Sequence, residues 1–177
     1  VVHAMDSENN TPIRSLTEAE CLALQHENTG YHICGFETYV RICKKYGKIA
    51  FVTVRKAPTG DTTYTDQLIS EMVYTLKKYG MVKQCIVNCF TYATLQAVRE
   101  VDPDIMLSQV LKFNSALTTD AIDRAVALGN MLINGFHFTN TTSVDAIPDK
   151  IDTAVIEYAI EKDIRVYEAQ VWSMEIV

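Results

Sequence analysis

Arg55 and Lys56 directly follow the apolar run Ile49 to Val54 (IAFVTV), and two cations at the end of such a run could hold a phosphate or sulfate. Asn88 and Gln109 interrupt two further apolar runs, CIVNCF and IMLSQVL. A polar side chain among apolar ones must find a partner, so each amide either closes an internal contact or lines a pocket. Glu168 is the one acid in IRVYEAQVW, Ile164 to Trp172. A carboxylate buried alone costs several kcal/mol, which favours pairing with Arg55 or Lys56. Trp172, with Phe113, Phe136 and Phe138, lies near run ends. These rings could line a pocket for glycerol-like or sugar moieties, or simply pack the core. His137, in MLINGFHF, has no carboxylate or second histidine close in sequence and reads as a satisfied side chain rather than a metal ligand.

The elements that must position these groups are read from hydrophobic periodicity. The apolar runs, with MLINGFHF as the fifth, are short, rich in β-branched and aromatic residues and apolar on both faces, as strands of a buried parallel sheet require. Helical periods separate them. Ile69, Met72, Val73 and Leu76 follow i, i+3, i+4, i+7 spacing, and Ile151, Ala154, Val155 and Tyr158 repeat it. Gly80 and Gly129 mark helix stops, and Pro148 sits where a first turn tolerates proline. Thr17, followed by Glu18 and Glu20, marks a helix start. Alternating strands and helices demand parallel pairing. No GxGxxG or GxxxxGK loop follows any strand, which favours a (β/α)8 barrel over a nucleotide-binding open sheet.

Composition bounds the partners. The chain has 177 residues, 48% hydrophobic and 21% charged, enough to bury one core as a single domain. A net charge of −6 repels phosphate backbones and anionic lipid, so nucleic acid is not an expected partner. No apolar run is long enough for a membrane span. Five cysteines, Cys21, Cys34, Cys43, Cys85 and Cys89, form no CxxC pair or even framework, so they read as packed thiols in a reducing, cytoplasmic compartment. The opening VVHAM, without an initiating methionine, reads as part of something longer.

Ordered phrases along the chain resemble the glycerophosphodiester phosphodiesterases. VVH followed by SLTEAECLAL resembles the family's third-strand histidine and its L-T-x-x-E-L phrase, and FETYVRICKKYGKIAFVTVRKAPTGD resembles the helix and fourth strand that carry an E-x-K pair. LISEMVYTLKKYGMVKQCIVNCF and TYATLQAVREVDPDIMLSQVL resemble the fifth- and sixth-strand region, while MLINGFHF and IEKDIRVYEAQVW resemble strands seven and eight. The resemblance implies an α/β (β/α)8 barrel, with strands three to eight in this chain as a single domain over 1–177, truncated at both ends.

It also implies a metal-dependent phosphodiester hydrolase, and the departures bear on that. His3 matches the third-strand histidine, a general acid or base in the family, but Ala4 follows where an aspartate or asparagine is usual. The H-R-G strand end and the E-x-D metal pair have no counterpart. Thr53 or Val54 stands where strand four offers a metal-binding glutamate, with Arg55 or Lys56 in the basic place. Strand eight reads V-x-x-W-T-V-N in the family, whereas Ala169 and Trp172 occupy the tryptophan and asparagine places. The family's divalent cation, magnesium or calcium, needs several oxygen ligands, so no metal is expected on this chain unless Glu168 replaces a lost one. The expected ligand is a small phosphodiester or polyol phosphate. Two functions follow: part of a glycerophosphodiester hydrolase with an incomplete site, or an inactive barrel that binds phosphodiester polymers or a protein partner. Six strands would leave open edges, to be closed by another segment, by the loop 6–35, or by pairing in a homo-oligomer.

Overall fold

In the computed structural model the described residues are 15–25, 30–54, 62–111, 117–136 and 152–168. The chain divides into two compact units between Ala50 and Phe51. In the first, α1 (Glu18–Ala23) starts at Thr17 with the capping box that its sequence encodes. The Thr17 hydroxyl accepts from the Glu20 amide at 3.3 Å, and the Glu20 carboxylate accepts from the Thr17 amide at 2.7 Å. That backbone bond, with a second from the Thr17 hydroxyl, holds the Glu20 carboxyl below its ordinary range. α2 (Phe36–Lys45) buries Val40 and Cys43 and stops ahead of Gly47, at φ 60°.

The expected strands form one five-stranded parallel sheet, which apart from Ala50 lies in the second unit. They are β1 (Ala50–Thr53), β2 (Cys85–Cys89), β3 (Met106–Val110), β4 (Met131–Phe136) and β5 (Arg165–Glu168), in that spatial order. The crossovers carry α3 (Thr62–Lys78), α4 (Tyr92–Val101), α5 (Thr119–Leu128) and α6 (Thr153–Glu161). A strand order that never reverses, joined by crossovers of the one hand that parallel strand pairs almost always take, keeps every helix on one face. A doubly wound sheet requires a reversal, so this is the winding of a barrel.

The helix-covered face is apolar apart from Gln109. Val87, Leu107 and Ile133 share it by register and alternation, and they are fully buried, as are Leu95 and Val98 of α4 and Ile122 and Ala125 of α5. Ile69, Met72, Val73 and Leu76, the helical stripe of the sequence, are all buried on α3. Cys43, Cys85 and Cys89 are buried and form no disulfide; Cys34 departs from the packed expectation, being exposed with its thiol donating to the Gly35 carbonyl at 3.4 Å. The strand expected at 1–5, Ile151 and Pro148 lie outside the described residues.

The amino ends of β3 and β4 are locked by Arg99. Its guanidinium donates to the carbonyls of Leu128 (3.1 Å) and Gly129 (2.6 Å) after α5, and to those of Pro103 and Ile105 (2.9 Å) ahead of β3. Asn130, at φ 46°, donates to the Asp104 carbonyl at 2.9 Å. Buried Asp102 accepts from the Asp104 amide at 2.9 Å and lies 3.0 Å from Lys77 Nζ. One planar, multi-donor cation thus satisfies carbonyls that two turns would otherwise leave unpaired.

Candidate functional site

The other face of the sheet, the inner face, is mixed in character. Asn88 is in register with Ser108, Ser108 with Leu132 and Asn134 with Tyr167, and Leu132 and Asn134 share a face by alternation. Asn88, Ser108, Asn134 and Tyr167 therefore line one side of β2 to β5. Thr53 joins them from β1: Val54 N donates to the Asn88 carbonyl at 2.9 Å, and Asn88 Nδ2 lies 3.5 Å from Thr53 Oγ1. Thr53, Asn88, Asn134 and Tyr167 sit in the carboxyl-terminal halves of their strands, where (β/α)8 barrels build their sites, and Ser108 is at the middle of β3.

These side chains are neutral hydroxyls and amides. Ser108 Oγ and Tyr167 OH are 2.7 Å apart, and burial raises the Tyr167 phenol above its ordinary range despite the opposing pull of the Ser108 bond. Asn88 and Asn134 are 6% and 4% exposed, yet Asn88 Oδ1 and Asn134 Oδ1 are buried with no hydrogen-bond partner. A buried carbonyl oxygen left unpaired costs about 1–3 kcal/mol. The face is thus built to accept hydrogen bonds that the described residues do not supply.

As a divalent-metal site this set does not fit. Thr53 stands on the inner face at one of the positions matched to the family's glutamate, and the side chains that share that face are neutral amides and hydroxyls. Among the described residues no three His, Cys, Asp or Glu side chains come together in a way that could hold a metal ion. Hard divalent cations are held largely through carboxylates, and the five described side chains of this wall include none.

Of the sequence candidates, Asn88 lies on the inner face. Gln109 does not join it: its register with Cys89 and Ile133 puts it on the opposite side, 7% exposed, with Oε1 also unpartnered. Glu168 closes β5 and Phe136 closes β4. His3, Arg55, Lys56, Phe113, His137, Phe138 and Trp172 lie outside the described residues. The sequence reading does not single out Ser108, Asn134 or Tyr167. Their signal was a polar residue in each apolar run, but in a run apolar on both faces periodicity cannot say which residue points inward.

No protein-family model matches the sequence, and no curated protein does. Solved structures do match. A glycerophosphodiester phosphodiesterase from Agrobacterium tumefaciens str. C58 aligns with TM-score 0.59 and 11% identity over 91% of this chain and 61% of that one. One from Parabacteroides distasonis aligns at 0.56 and 14% over 92% of this chain and 70% of that one. A Silicibacter pomeroyi protein provisionally named a glycerophosphoryl diester phosphodiesterase aligns at 0.60 and 15% over 80% of this chain. The chain spans about half, 47%, of the length of that protein. The fold is the barrel fold of these phosphodiesterases, represented here by five described parallel strands.

Proposed function

We propose that this chain forms the ligand-holding wall of a glycerophosphodiesterase-type barrel, binding a small phosphodiester or polyol phosphate at the carboxyl ends of its strands without hydrolysing it. One observation carries the reading: five neutral polar side chains converge on the inner face, and two of their buried carbonyl oxygens lack partners. Hydrolysis of a phosphodiester requires a placed acid and base and charge neutralisation at the phosphoryl oxygens. Hydroxyls and amides supply hydrogen bonds and none of these. Arg55 and Lys56, following β1 in sequence, are the cations proposed to meet the phosphate, and the neutral wall would hold the alcohol portion.

Calorimetric titration with glycerophosphocholine, with phosphorus NMR of the same mixture, tests this. Saturable binding without turnover is expected. Absence of binding would overturn the reading, and so would turnover abolished by His3→Ala, which would restore the hydrolase.

A further inference from the structure

Ser108 and Tyr167 meet at 2.7 Å although β4 lies between their strands. In register terms Ser108 is level with Leu132, and Leu132 with Arg165, so Tyr167 lies two residues further along, two strands away. Asn88 and Asn134 stand in the same relation one strand earlier: Asn88 is level with Ser108, and Asn134 is level with Val110, two residues further along. Alternate strands offset by two residues contribute to one side-chain layer in such barrels. The pair therefore shares the inner face with the Ser108 and Tyr167 hydroxyls.

Both amides are more than nine-tenths buried, and both Oδ1 atoms are unpartnered. We infer that Asn88 and Asn134 form a two-acceptor clamp specific for an uncharged polyhydroxylated group. Resting on the binding function proposed above, this names the part of the ligand that the wall selects. Hydroxyl groups donate to the two carbonyl oxygens and can accept in turn from neighbouring hydroxyls. A phosphodiester anion would bring only acceptors to two acceptors, and inorganic phosphate one or two donors among charged acceptor oxygens. A cation would have to leave water for oxygens without formal charge, which compensate it poorly.

The test uses the intact chain with myo-inositol, inorganic phosphate and glycerophosphocholine as probes, and the variants Asn88→Leu and Asn134→Leu. Saturable binding of myo-inositol is expected, weakened about tenfold or more by either substitution, a loss within the usual worth of a buried hydrogen bond. The urea midpoint of each ligand-free variant should stay or rise, because an unpaired buried oxygen is removed. Unchanged affinity in both variants would overturn the clamp. Binding of glycerophosphocholine but not of myo-inositol would overturn the clamp and leave the binding function standing; binding of neither would remove both. Should a variant fail to fold, the side-chain amide resonances of the unsubstituted chain decide. Shifts of the Asn88 and Asn134 amides with myo-inositol and not with inorganic phosphate support the clamp, and the reverse pattern overturns it.

Discussion

Ser108 and Tyr167 share a 2.7 Å hydrogen bond across the inner face, with one partner fully buried and the other half-buried. The asymmetry of burial decides what each substitution costs. Tyr167→Phe strands the Ser108 hydroxyl away from water and should destabilise by about 1–3 kcal/mol. Ser108→Ala leaves a phenol that can still reach solvent and should cost less. The double variant Ser108→Ala/Tyr167→Phe removes both polar partners and should recover part of the Tyr167→Phe loss. Urea unfolding of the four chains checks this ordering.

Burial holds the Tyr167 proton more tightly in the folded state, raising its pKa above the ordinary phenol value of 10.0. A raised folded pKa contributes stability that is fully present below the unfolded value and lost as pH climbs through the folded one. Unfolding free energy should therefore decline with pH above about 10, where a free phenol ionises, and Tyr167→Phe should decline less steeply. Urea midpoints taken across the alkaline range measure the difference.

Asp102 shows the opposite sign. Burial alone would raise its carboxyl, but the Lys77 ammonium and the Asp104 and Ile105 amides outweigh it and leave the pKa lowered. Stability from this group is present above the ordinary carboxylate range and lost as pH falls through the lowered value. Asp102→Asn should be less stable than the parent near neutrality, and the gap should narrow on acidification below about pH 4. A gap that stays constant through the acid range would contradict the assignment.

Arg99 spans the α5-to-β4 turn and the segment ahead of β3 through four carbonyls. Arg99→Ala should cost about 1.5–3 kcal/mol, the range for hydrogen bonds to a charged group, here in a half-buried network. Arg99→Lys should recover little, because an ammonium cannot reproduce the planar fork. Hydrogen exchange should show the loss first in the amides leading into β3 and β4.

Much of this architecture was legible because it depends on local pattern. The α3 stripe at Ile69, Met72, Val73 and Leu76 and the capping phrase at Thr17 and Glu20 are periodic or adjacent in sequence, and both stand in the fold. The inner face was harder to read. Ser108 and Gln109 are consecutive polar residues in a run apolar on both sides, so only the register with Asn88 and Cys89 shows that Ser108 faces inward and Gln109 outward. Tyr167 reads as an ordinary strand aromatic until the offset across β4 brings it to Ser108. Nothing adjacent in sequence marks Arg99, because its acceptors arise from turns that the fold alone brings together. Pairwise register and long-range turn contacts are not encoded in periodicity.

The proposed ligand contacts the inner face of the sheet. An amide-resolved NMR titration of the intact chain with glycerophosphocholine tests this contact most directly. The account predicts saturable shifts concentrated at Thr53, Asn88, Ser108, Asn134 and Tyr167, with the amides around Arg99 at the other strand ends unmoved. Shifts confined to the Arg99 end or to the helix-covered face, with those five positions silent, would contradict it.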